Sequence, residues 1–224
     1  LHVTRRRQRQ MCIRDSPKIE QYALSYSDPE SDLLYELNRQ THLKVLQPRM
    51  LSGHLQGRVL SSYSRALAPK NILEIGTYTG YSALCLAEGL KKNGSLHTIE
   101  INNELASFTK FFFDKSKYKD QIHFYIGDAL ELIPKIQHQW DLVFIDADKE
   151  NYSNYFDLII AQVRPGGLII ADNVLWSGKV LEPTHKKDLE TKSLKNFNEK
   201  VKSDTRVSNL LLPVRDGMMI MIKK

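Results

Sequence analysis

Five short apolar runs constrain this chain more than anything else in it: "NILEIG" (71–76), "SLHTIE" (95–100), "IHFYIG" (122–127), "DLVFID" (141–146) and "GLIIAD" (167–172). Each stops at a glycine or an acid, and helical patterns separate most of them. Near-continuous apolar strands alternating with helices predict an α/β fold, a parallel sheet covered on both faces and joined by right-handed crossovers. The closing stretch "SNLLLPVRDGMMIMIKK" departs from that rule. Two strand-like runs flank "RDG" there, which predicts an Asp-Gly hairpin and an antiparallel pair.

The 224 residues suffice for one full-sized core, and no apolar run approaches the ~20 residues of a membrane-spanning helix. The net charge of +6 is unevenly spread: residues 1–16 hold five Arg against one Asp, carrying +4 and leaving +2 for the rest. That segment has no helical or strand period and no signal-peptide core, so it is expected to be a disordered, non-native leader before a single domain at 17–224. Cys12 lies in it, and Cys85 sits among apolar residues as a buried free thiol; a reducing, cytoplasmic compartment is the default. From residue 27, "SDPESDLLYELNRQ" reads as a helix start capped by Ser27 or Asp28 with Pro29 in the first turn. A second helix is expected from Gly53 to Leu67, stopped by Pro69. "KFFFD" (110–114) reads as helix packing, and His54, His123, His138 and His185 have no ligand spacing.

The strand ends carry the functional signal. Glu74 lies in the first with Gly76 at its end, Glu100 closes the second, Gly127-Asp128 the third, Asp146 the fourth and Asp172 the fifth. Ligands of open parallel sheets bind outside the carboxyl ends of the strands, so these side chains are expected in register around one crevice, with one or two serving as helix caps. The first loop, "EIGTYTGYS", is not a G-x-G-x-x-G turn. Its acidic surroundings disfavour a pyrophosphate and suit S-adenosylmethionine, which carries a sulfonium, an ammonium and a ribose diol. Glu100 stands where a ribose-binding acid belongs, a position nicotinamide binding would use as well.

"LEIGTYTGYSALCLAEGL", "FIDADKENYSNYF", "RPGGLIIADNVLWSGKV" and "LPVRDGMMIMI" resemble the cation-dependent class I O-methyltransferases, the caffeoyl-CoA and catechol type, in order and spacing from about residue 47 to the end. The resemblance implies a Rossmann-like methyltransferase fold: a mostly parallel seven-stranded sheet with a C-terminal antiparallel strand and helices on both faces. It implies that Ser52, Glu74, Gly76, Thr77, Ser82, Glu100, Ala129 and Asp148 line the S-adenosylmethionine pocket, with Tyr78, Asp128 and Asp146 counted beside them. Asp146, Asp172 and Asn173 match the family's metal ligands, Lys149 its base or proton acceptor, and Trp176, followed by Ser177, its acceptor wall. Homodimers are usual among similar proteins.

The ligand chemistry stands on its own terms. Adjacent residues of a regular strand point to opposite faces, so Asp172 and Asn173 share an ion only if the chain turns between them. Three hard oxygens suit Mg²⁺, with Ca²⁺ or Mn²⁺ as substitutes, and leave about three octahedral positions for a vicinal diol and one water. Lys149 either takes a proton or orients the site. "DADK" also fits a solvated turn with Asp148 capping a helix near Asn151. The leading expectation is methyl transfer to a small vicinal-diol aromatic. The alternatives are a 5-hydroxyuridine in transfer RNA, a nicotinamide-dependent oxidoreductase and an adenosyl-ligand sensor. Residues 17–50 and 178–192 are expected to supply much of the acceptor pocket.

Overall fold

The computed structural model describes residues 17–224, so the expectation for residues 1–16 lies outside them. The order is α1 (Pro17–Ser25), α2 (Asp32–Lys44), α3 (Gly53–Leu67), β1 (Asn71–Ile75), α4 (Tyr81–Ala87), β2 (Ser95–Glu100), α5 (Ala106–Lys115), β3 (Ile122–Ile126), α6 (Ala129–Leu132), β4 (Trp140–Ile145), α7 (Tyr152–Ile160), β5 (Val163–Ala171), α8 (Leu189–Ser203), β6 (Val207–Leu212) and β7 (Met218–Lys223). All five apolar runs are strands, each within a few residues of its expected bounds. The sheet order is β3-β2-β1-β4-β5-β7-β6. β1 to β5 pair in parallel, and β7 runs antiparallel to both neighbours. The hairpin forms as expected, with β7 inserted between β5 and β6 so that β6 takes the edge.

The strands read as unbroken apolar runs because both faces are buried, and the pleat sends alternate residues to opposite sides. Leu73, Ile75, Val143, Ile145, Ile169 and Ala171 pack with Tyr152, Phe156 and Phe197 of α7 and α8. Ile72, Leu142, Phe144, Leu168 and Ile170 pack on the other side with Leu37, Leu60 and Phe112 of α2, α3 and α5. Cys85 is a buried free thiol in α4, as expected. Among the described residues no helix is long and apolar enough to cross a membrane.

One helix start differs from expectation. Ser31 caps α2, its side chain accepting from Leu34 N, and neither Ser27 nor Asp28 does so. Starting at Asp32 places Leu34, Leu37 and Thr41 on one buried face. The residues before it are engaged elsewhere: the Asp28 carbonyl bonds His54, and Glu30 accepts from the Tyr81 hydroxyl.

Candidate functional site

The register of the sheet aligns the site. Ile75 pairs with Ile99 and with Ile145, and Ile145 pairs with Ala171. The next residue on each strand is Gly76, Glu100, Asp146 or Asp172, so one glycine and three acids form a single row across four strand ends. β3 falls out of this row. Its residue paired with Glu100 is Ile126, which leaves Asp128 two residues further on, exposed, accepting from Leu130 N as the cap of α6. Glu74 falls short in the other direction. Two residues before Gly76, it is fully buried beneath the row, its Oε2 accepting from the Thr98 hydroxyl and its Oε1 without a hydrogen-bond partner. Burial pushes its carboxyl up to about 8. Its charge therefore says little about a pyrophosphate, contrary to the weight the sequence reading gave it.

A cleft of about 890 Å³ opens over the row. Of the expected site residues, Ser52, Gly76, Thr77, Tyr78, Ser82, Glu100, Ala129, Asp146, Asp148, Lys149, Asp172, Asn173, Trp176 and Ser177 line it; Glu74 and Asp128 do not. Arg49 and Met50, and Lys179 and Glu190, come from the two segments expected to shape the acceptor pocket.

At one end the Glu100 carboxylate accepts from Tyr78 N at 2.6 Å and from Asn102 N at 2.9 Å. Burial outweighs these bonds and raises its pKa above the ordinary carboxylate range. At the other end stand Asp146 and Asp172. Asp172 is buried: Gln56 Nε2 donates to its Oδ2 at 2.6 Å, and its Oδ1 has no hydrogen-bond partner. Burial, followed by the nearby Asp146 charge, pushes the Asp172 carboxyl up to about 7. Asn173 has φ +57, so the chain leaves the extended conformation at the position where shared use with Asp172 requires a turn. Among the described residues no three His, Cys, Asp or Glu side chains converge as a metal cluster; Asn173, which lines the cleft beside Asp146 and Asp172, carries a carboxamide oxygen.

Lys149 is buried beside them, donating to Asp146 Oδ1 at 3.0 Å and to the Tyr152 hydroxyl at 2.7 Å. The Tyr152 hydroxyl donates in turn to the Asp172 carbonyl at 2.9 Å. The Trp176 ring centroid is 5.9 Å from Lys149 Nζ and 5.7 Å from Lys179 Nζ. Asp148 is exposed and makes no cap bond to a helix N–H; it accepts from the Tyr155 hydroxyl and from Asn151 Nδ2. Ser177 N donates to Asp216 Oδ1, and Arg215 to the Ser52 carbonyl, so the hairpin tip braces two walls of the cleft. In the sequence "RDG" carries turn chemistry alone, and Gln56, Tyr152 and Tyr155 are not among the expected site residues. For Gln56 a signal existed: it shares the buried stripe of α3 with Leu60, Ser61 and Ser64, where an amide needs a partner.

A sequence model of the O-methyltransferase family matches residues 24–224. The chain belongs to this family. A caffeoyl-CoA O-methyltransferase of Stellaria longipes is 32% identical to this O-methyltransferase over 91% of the chain and 89% of the relative. A catechol O-methyltransferase of Niastella koreensis is 34% identical over 75% of the chain and 80% of the relative. The solved structure of the O-methyltransferase TomG from Streptomyces achromogenes, described as involved in tomaymycin synthesis and in complex with SAM, superposes with a TM-score of 0.85 at 26% identity, covering 92% and 96% of the two chains. The family match sets aside the oxidoreductase and sensor alternatives for this O-methyltransferase.

Proposed function

We propose that this O-methyltransferase moves the methyl group of S-adenosylmethionine to one hydroxyl of a small aromatic vicinal diol, of catechol or caffeoyl type, with a divalent cation held by Asp146, Asp172 and Asn173. The supporting observation is the buried, unpartnered Asp172 Oδ1 beside Asp146, at the point where positive φ at Asn173 ends the strand. The donor chemistry fits the ion: two carboxylates and an amide, with no His or Cys among the described residues that line the cleft, suit Mg²⁺, Ca²⁺ or Mn²⁺ rather than zinc. Bound there, the ion would make the acceptor hydroxyl more acidic and fix two adjacent oxygens.

The chain's own groups supply the rest. Glu100 offers carboxylate lone pairs to a ribose diol, and Gly76 lets the first loop close against the end of β4 beside it. The Trp176 ring gives an aromatic acceptor a stacking wall. A phenol has a pKa of about 10 and is protonated at neutral pH, so as its oxygen bonds the methyl carbon and the C–S bond breaks to leave the neutral thioether, its proton passes to bulk water through the open cleft. The Lys149 ammonium orients Asp146 and sets a positive charge beside the developing oxyanion. TomG, solved with SAM, supports the cofactor, and the catechol and caffeoyl-CoA enzymes support the acceptor class.

The test separates the two ends of the cleft. Asp172→Ala is expected to abolish labelled methyl transfer to a catechol and leave S-adenosylmethionine affinity within about threefold. Glu100→Ala is expected to weaken that affinity by about 2 kcal/mol, roughly 30-fold, through loss of charge-assisted bonds. Transfer that survives in Asp172→Ala, or label that enters transfer RNA in place of catechol and caffeoyl esters, would overturn the assignment.

A further inference from the structure

We infer that Gln56 is a positioning residue for Asp172: from α3 it commits one carboxylate oxygen and leaves the other without a protein partner. This rests on the cation reading above. Gln56 is 2% exposed, and its Nε2 donates to Asp172 Oδ2 at 2.6 Å. Asp172 lies just beyond the last ladder residue of β5 with its N–H bonded to the Ile145 carbonyl at 3.0 Å, so the sheet places its backbone and other groups must place its side chain. Two helices on opposite faces hold it. α3 takes the side chain through Gln56, and α7 takes the backbone carbonyl through the Tyr152 hydroxyl at 2.9 Å. With Oδ2 spoken for, the buried Oδ1 is the one oxygen of Asp172 without a partner.

The placement of α3 is itself specified by the neighbouring residue. A Cβ on Gly57 would lie 2.7 Å from Tyr81 Cε1 and 2.8 Å from Cys85 Sγ, so glycine is what lets α3 approach α4 closely enough for Gln56 to reach the strand end. Partners that orient a ligating carboxylate typically contribute 10- to 100-fold in ion affinity, without touching the ion. A buried Gln–Asp pair that served packing alone would move stability and leave ion affinity unchanged.

The experiment uses the full chain and Mn²⁺ as probe, followed by its paramagnetic resonance signal, with S-adenosylmethionine affinity by calorimetry and thermal unfolding alongside. Gln56→Met keeps an unbranched side chain of similar length and removes the donor; Gln56→Ala is the second variant. The expected result is Mn²⁺ affinity weakened by about 10- to 100-fold in both, with S-adenosylmethionine affinity within about threefold of the wild type. Wild-type protein that binds no Mn²⁺ would overturn the cation reading and this inference together. Wild-type binding with unchanged affinity in the variants would overturn the inference alone. Loss of cooperative unfolding in both variants would overturn it too, by assigning Gln56 to folding.

Discussion

A methyl group on residue 76 would sit 2.0 Å from the Asp146 carbonyl oxygen and 2.7 Å from its carbon, and φ there is +98. The obstacle is backbone, so no rotamer change relieves it. Gly76 is therefore what allows the first loop to close against the end of β4, where Asp146 emerges. Gly76→Ala is expected to destabilise the protein by about 2 kcal/mol or more, read from urea unfolding. A change under about 0.5 kcal/mol would show that the two strand ends are not in enforced contact. At this scale the strand ends, legible from the apolar runs, place Asp146, Asp172 and Asn173 on the cleft. Depth is not legible in that pattern, as at Glu74, which lies two positions before the row and out of the cleft.

Between elements, the strand and helix alternation was legible because apolar runs with sharp ends admit one layered solution. The register between strands was not. Asp128 was grouped with the other strand-end acids, but β3 pairs so that Asp128 overshoots them and caps α6. The start of α2 was misplaced because Ser27, Asp28 and Ser31 all have capping chemistry, and tertiary bonds of Asp28 and Glu30 decide among them. Helix contacts of this kind make their own predictions. Glu88, just after α4, accepts two bonds from Arg58 and one each from Ser61 and Arg65, tying α3 to α4. The Arg58 and Glu88 side chains are 12% and 13% exposed, whereas Arg65 is 54% exposed. Glu88→Ala, which strands a mostly buried guanidinium, is expected to lose about 3 kcal/mol of stability, and Arg65→Ala under about 1. Equal losses by chemical denaturation would contradict that division.

For the molecule as a whole, two buried groups shape stability against pH with opposite signs. His97 is held down to about 4 by burial, with repulsion from His123, stacked on it at 4.6 Å, and from His138, tilted against it at 4.5 Å. The unfolded chain takes that proton near pH 6.5, so stability falls as pH drops from about 6.5 to 4, by about 3 kcal/mol in full. Glu74, pushed up to about 8, keeps a proton that the unfolded chain loses near pH 4.3. Its contribution therefore falls as pH rises from about 4.5 through 8. Relative to wild type, Glu74→Gln is expected to gain stability between pH 6 and 8.5; parallel curves would remove the buried-acid assignment. The claim on which the functional reading depends is that methyl transfer needs an ion between β4 and β5. Initial rates of transfer to catechol, measured after EDTA treatment and again after adding back Mg²⁺, test it most directly. The expected result is loss of transfer in EDTA and recovery with Mg²⁺, and an undiminished rate in EDTA would contradict it.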